Sequence, residues 1–140
     1  MPSTDSKKIK IIIADDHPLF RRGLKHAIEE TSDIEVIGES CNGEDLLSLI
    51  RDSKPNIILL DIAMPGKSGL DLLKQLKNEH PKLPILILSV YPEEQYAIRF
   101  LKAGASGYLT KESAAEKLAE AIRKIAGGGK YASTAVIEKL

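Results

Sequence analysis

Five short apolar runs, each followed by a longer stretch of helical period, set the limits on what this chain can fold into. The runs are Ile9-Lys10-Ile11-Ile12-Ile13-Ala14, Ile34-Glu35-Val36-Ile37, Asn56-Ile57-Ile58-Leu59-Leu60, Ile85-Leu86-Ile87-Leu88 and Gly107-Tyr108-Leu109-Thr110. Phe20, Leu24, Ala27 and Ile28 repeat at i, i+4, i+7 and i+8, the stripe of an amphipathic helix. Asn42 can cap a second helix carrying Leu46, Leu47 and Ile50, and Leu70, Leu73 and Leu76 mark a third. Pro81 and Pro84 fence that helix from the next run. Residues 93–103, stopped by Gly104, read as a fourth helix, and residues 113–126, stopped by Gly127-Gly128-Gly129, as a fifth. Strands alternating with helices imply an α/β fold, a doubly wound parallel sheet covered on both faces. Ile-rich strands with almost no polar alternation fit burial on both sides.

Four of the runs end on residues suited to phosphoryl chemistry: Asp15-Asp16, Asp61, Ser89 and Lys111. In an open parallel sheet, ligands bind outside the C-terminal strand ends. Three carboxylates, a hydroxyl and an ammonium are therefore expected to converge. Two like charges about 4 Å apart cost roughly 4 kcal/mol at an effective dielectric of about 20, so the acidic group makes sense around a hard divalent cation. Mg²⁺ takes oxygen ligands and keeps several waters. Asp15 and Asp16 can hold it, Asp61 can share it, and a backbone carbonyl just after Asp61 can add an oxygen. An aspartate can also act as a nucleophile and form an acyl phosphate. Lys111 and the metal would then neutralise phosphoryl oxygens, with Ser89 donating a hydrogen bond.

Singly, each residue has a plainer reading. Asp at a strand end forms turns, Asp-Asp before a helix caps it, and Ser or Lys is ordinary surface. The conjunction on four strand ends carries the functional reading. Other candidates carry less. Gly129-Lys130 follows a helix and lacks the spacing of a phosphate-binding loop. His17, His26 and His80 lack metal-ligand spacing, and His17-Pro18 reads as a local helix start. Cys41 reads as a small buried or half-buried residue. Arg21, Arg22 and Lys25 read as a solvated basic face.

The chain has 140 residues, the size of one domain, with formal net charge +0 and a single cysteine. No bulk attraction for nucleic acid or an anionic membrane follows from that charge. One cysteine fits a reducing compartment, and the polar residues 1–8 lack an apolar signal region, so a cytoplasmic protein is expected.

Together the acidic pair Asp15-Asp16, the segment Leu60-Asp61-Ile62-Ala63-Met64-Pro65 with Gly69, Ser89 and the Tyr108…Lys111 pair resemble the receiver domain of bacterial two-component response regulators. Residues 14–24 and 102–109 resemble its NarL/FixJ subfamily in particular. The resemblance spans residues 8–127 as a receiver domain and leaves 128–140 as an interdomain linker and the start of a linker helix. It implies a flavodoxin-like (βα)5 fold, with Asp61 as phosphoacceptor and Asp16 as a direct Mg²⁺ ligand. Asp15 would act through water, and the main-chain carbonyl of Ala63 would complete the protein ligands. Ser89 and Tyr108 would be a switch pair, and Lys111 would pair with the phosphate. Glu112 stands where many receivers carry proline.

By the same resemblance, the residues two beyond Asp61 and Ser89 flank the approach of hydrolytic water. Ala63 cannot orient water and Tyr91 is large enough to shield it, so a slowly hydrolysed aspartyl phosphate is expected. The expected partner is a sensor histidine kinase. Self-association after phosphorylation would use the first and fifth helices, and the surface that changes would be the fourth helix, fifth strand and fifth helix. The subfamily usually carries a C-terminal LuxR-type helix-turn-helix domain. This chain is expected not to bind DNA by itself, since only eleven residues follow Gly129. Two other readings are weaker. An Asp-nucleophile phosphatase or phosphotransferase needs an acid two residues after Asp61, where Ala63 stands. A flavin- or nucleotide-binding protein needs a phosphate loop after the first strand, where Asp15-Asp16 would repel phosphate.

Overall fold

The computed structural model describes residues 8–140. Its strands are β1 (Ile9–Ala14), β2 (Ile34–Ser40), β3 (Ile57–Asp61), β4 (Ile85–Ser89) and β5 (Gly107–Thr110). Its helices are α1 (Pro18–Glu29), α2 (Gly43–Ser53), α3 (Gly69–Glu79), α4 (Glu93–Lys102), α5 (Lys111–Ala126) and α6 (Thr134–Glu138). All strand pairs are parallel, in the order β2-β1-β3-β4-β5. The flavodoxin-like expectation is met. The strand order reverses at the β1/β3 boundary, which places the crevice of a doubly wound sheet between the ends of β1 and β3.

Consecutive strand residues point to opposite faces and thereby split the core in two. Ile12, Ala14, Ile58, Leu60, Ile85, Ile87 and Tyr108 pack on one side with α2, α3 and α4. Ile11, Ile13, Ile57, Leu59, Leu86, Leu88 and Leu109 pack on the other with α1 and α5. From Ile11 to Ala14, Ile57 to Leu60 and Ile85 to Leu88 the side chains are fully buried on both faces, which explains why those runs read as continuous apolar sequence.

Asn42 caps α2 by accepting from the Asp45 N–H at 2.8 Å, as expected. Four local expectations need correction. β2 continues past Ile37 to Ser40, because an edge strand tolerates the polar Glu39 and Ser40. Cys41 is exposed, since it lies past the end of that edge strand in the turn before α2. Helix α5 begins at Lys111 and not at Ser113. A cation in the first turn opposes the helix dipole, which hides this start from sequence reasoning. The segment after the glycines is packed against the body and is not a free tether. Tyr131 forms a parallel bridge with Gly107, its carbonyl accepting from Tyr108 and its N–H donating to Ser106, both at 2.9 Å. A Cβ on Gly107 would stand 2.9 Å from the Tyr131 carbonyl oxygen, so this approach requires glycine. Ser133 then caps α6, as the expected helix start requires, and Val136 buries its side chain in the core that includes α4.

Candidate phosphoacceptor and metal site

Asp61 is the last residue of β3 and only 1% exposed. Its Oδ1 accepts from the Ala63 N–H at 3.0 Å, and its Oδ2 meets Lys111 Nζ at 3.1 Å. The loop after it is held by close packing: a Cβ on Gly69 would fall 2.6 Å from the Ile62 Cβ and 2.8 Å from its Cα. Asp15 follows β1 and is fully buried. Its Oδ2 pairs with Lys111 Nζ at 2.8 Å, and its Oδ1 accepts from the His17 N–H at 2.7 Å. Asp16 is half-buried, yet its Oδ1 is shielded from water and accepts no hydrogen bond. Ser89 ends β4, with its Oγ accepting from the Tyr91 N–H at 2.9 Å, which leaves the hydroxyl hydrogen free to donate.

Burial pushes the Asp61 carboxyl above the ordinary carboxylate range. The Ala63 N–H opposes that rise, the Asp15 charge reinforces it, and Lys111 opposes it again. Lys111 is thus the internal counter-ion of the cluster, and it also lies 4.6 Å from the Phe20 ring centroid. One lysine cannot balance three carboxylates. An orphaned, buried Asp16 oxygen beside them is what a site for a divalent cation requires, and the three carboxylates suit a hard ion such as Mg²⁺.

Tyr108 lies inward, 2% exposed, with its hydroxyl donating to the Tyr91 carbonyl at 2.9 Å. Burial raises its phenol above the ordinary value. The Tyr91 ring is part exposed and packs on Tyr96 at 4.9 Å between centroids. The residues singled out at strand ends are therefore brought together at one edge.

One member of the cluster escaped the sequence reading. His17 occupies the N-cap position of α1 without a side-chain capping bond, and its Nδ1 lies 3.1 Å from Asp15 Oδ1, 3.2 Å from Asp16 Oδ1 and 3.6 Å from Asp61 Oδ2. Ligand spacing within the sequence could not reveal it, because Asp61 and Lys111, which complete its surroundings, come from β3 and the start of α5. Its position directly after the acidic pair was the available signal. Arg21 donates to the Asp15 carbonyl and pairs with Glu39, as does Lys25, so part of the basic face on α1 is internally matched. Among the described residues no peptide bond is cis, and no helix is long and apolar enough to cross a membrane.

Residues 11–123 match the family described as the response regulator receiver domain. The chain belongs to that family. It is 34% identical over 132 residues to the response regulator GacA of Pseudomonas aeruginosa, covering 94% of this chain and 62% of that protein. It is 38% identical over 136 residues to the transcriptional regulatory protein DegU of Brevibacillus brevis, covering 97% and 58%. The receiver therefore spans less than two thirds of the length of these relatives. Among solved structures, a LuxR-family two-component response regulator from Aurantimonas superposes with a TM-score of 0.85 at 29% identity, covering 94% of each chain. The non-phosphorylated receiver domain of the Escherichia coli stress regulator RcsB gives 0.84 at 26% identity, covering 89% of this chain and 97% of that one. This chain is thus a receiver domain of a two-component response regulator whose relatives are transcription regulators of the NarL/LuxR type.

Proposed function

We propose that this receiver accepts a phosphoryl group on Asp61 from the phosphohistidine of a sensor kinase, in a Mg²⁺-dependent reaction. The observation that carries the reading is the buried Asp61 carboxylate at a strand end, with its Oδ2 on Lys111 and its Oδ1 on the Ala63 N–H. An Asp61 oxygen forms the new bond to phosphorus while the phosphorus–nitrogen bond of the donor imidazole breaks. Asp16, the Ala63 carbonyl, Asp61 itself and, through water, Asp15 would hold the magnesium ion. That ion supplies positive charge against the phosphoryl oxygens. Lys111 leaves its carboxylate partners for one of those oxygens, and the free Ser89 hydroxyl donates to another.

Drawing Ser89 toward the phosphoryl group disturbs its bond from the Tyr91 N–H, and Tyr91 in turn accepts from the Tyr108 hydroxyl. Ser89, Tyr91 and Tyr108 thus form one chain from the site to α4 and β5, whose two packings would be the two signalling states. Ala63 and Tyr91 make hydrolysis of the acyl phosphate slow. The output is control of transcription in the cytoplasm through a LuxR-type DNA-binding domain of a longer protein, with self-association through α1 and α5. Domain limits of 8–127 for the receiver and 128–140 for the connection to that effector accompany this reading. Incubation with acetyl phosphate and Mg²⁺, followed by intact-mass measurement, tests the proposal. One phosphoryl group should be gained by the parent chain and none by Asp61→Asn; an equal gain in that variant refutes the assignment.

A further inference from the structure

His17 Nδ1 has contacts that no single state of the ring nitrogen satisfies together. Lys111 Nζ lies 3.2 Å from it and can only donate a hydrogen bond. Asp15 Oδ1 at 3.1 Å and Asp16 Oδ1 at 3.2 Å are carboxylate oxygens, which face a hydrogen on that nitrogen favourably and a lone pair unfavourably. A ring nitrogen carries either a hydrogen or a lone pair. With a hydrogen on Nδ1, the ring is matched to the carboxylates and opposed to Lys111. With a lone pair, it is matched to Lys111 and opposed to two carboxylate oxygens. A cation set among these atoms is faced favourably by the carboxylate oxygens and by the imidazole lone pair, provided that Lys111 gives up its contact with Nδ1. The ligand atoms offered by Asp15, Asp16, His17 and Asp61 lie within 4.8 Å of one another, and the buried Asp16 Oδ1 has no hydrogen-bond partner to give up.

We propose that His17 is a nitrogen ligand at this cation site, converting an all-oxygen set into a mixed nitrogen–oxygen set that accepts Mn²⁺ or Co²⁺ better than Mg²⁺. The inference rests on the metal-dependent reading of the site given above. Imidazole suits first-row transition ions, whereas Mg²⁺ favours oxygen. The side chain of His17 is 58% exposed, so the ring has room to adjust toward an ion without disturbing the core. The His17 backbone N–H donates to Asp15 Oδ1 as well, so its backbone is fixed beside the ligands while the ring moves.

Pulsed electron paramagnetic resonance on the Mn²⁺-loaded chain reads this directly. Modulation from a directly bound nitrogen is expected, and labelling histidine alone with ¹⁵N should change its frequency without any substitution. His17→Ala should abolish the modulation and lower the Mn²⁺-to-Mg²⁺ affinity ratio in calorimetry by about tenfold, the low end of what losing a supporting group costs a metal site. Mn²⁺ bound with full dependence on Asp16 and Asp61, but without histidine modulation, overturns the role of His17 and leaves the phosphoacceptor reading intact. Failure of the parent chain to bind Mn²⁺ or Mg²⁺, or binding unchanged in Asp16→Ala, overturns both.

Discussion

At their N-terminal ends the central strands are tied together by neutral hydrogen bonds. Asn56 donates to the Lys10 carbonyl at 2.7 Å and accepts from the Lys10 N–H at 2.8 Å; Ile58 donates to Pro84 at 3.0 Å and Ser106 to Ile85 at 2.8 Å. At their C-terminal ends the same strands deliver Asp15, Asp61 and Ser89, all nearly excluded from water. One end spends its polar groups on each other. The other holds like charges together around a single lysine, an arrangement that costs folding free energy in the absence of a cation. The contrast separates what holds this receiver together from what the proposed reaction would use, along strands only a few residues long.

Removing Lys111 should break the contrast most forcefully. Lys111→Ala leaves two buried carboxylates without their counter-ion and should lower stability at neutral pH by about 3 kcal/mol in urea unfolding. Saturating Mg²⁺ at about 100 times its dissociation constant should return nearly as much, about 2.7 kcal/mol, by binding only the folded chain. Absence of both effects would mean the acidic end carries no strain.

Asp61→Asn should act in the opposite sense. Burial raises the folded carboxyl above its ordinary value of 3.8, so the folded chain holds that proton more tightly than the unfolded one. The Asp61 contribution therefore makes stability fall as pH climbs from near 3.8 through the raised folded value. In the metal-free variant that fall should vanish, and the thermal midpoint at neutral pH should rise by a few degrees. Thermal scans across the acidic range check both.

Asn56→Ala, at the other end, should cost about 1 kcal/mol through the lost acceptance of the Lys10 N–H by the side-chain Oδ1 and leave metal affinity unchanged. Smaller still, Tyr108→Phe removes one hydrogen bond to the Tyr91 carbonyl, worth roughly 0.5 to 1 kcal/mol, and should likewise spare the metal. A change in metal affinity in either variant would show that the two ends are less separate than their contacts indicate.

The two ends also differed in how much the amino acids alone disclosed. Continuous runs such as Ile57 to Leu60 announce a strand buried on both faces, and the residues terminating them could be placed on one edge by topology alone. Asp15, Asp16, Asp61 and Lys111 were legible for that reason. His17 was not, because its neighbours are supplied by β3 and by the start of α5. The position of Lys111 in the first turn of α5 was hidden as well, since its ion pairs with Asp15 and Asp61 outweigh an unfavourable local preference. Glu39 and Ser40 concealed the length of β2, where an edge position relaxes the apolar pattern.

The docked segment around Tyr131 has a bearing on solubility. β5 is a terminal strand of the sheet, and its outer Ser106 carbonyl and Tyr108 N–H would be a template for an incoming strand if they stood open. Tyr131 fills both positions, and the absence of a side chain on Gly107 lets it come close enough to do so. A receiver trimmed after Gly129 would keep its acidic edge intact and yet present a raw sheet margin, making it prone to stick to its own copies through β5.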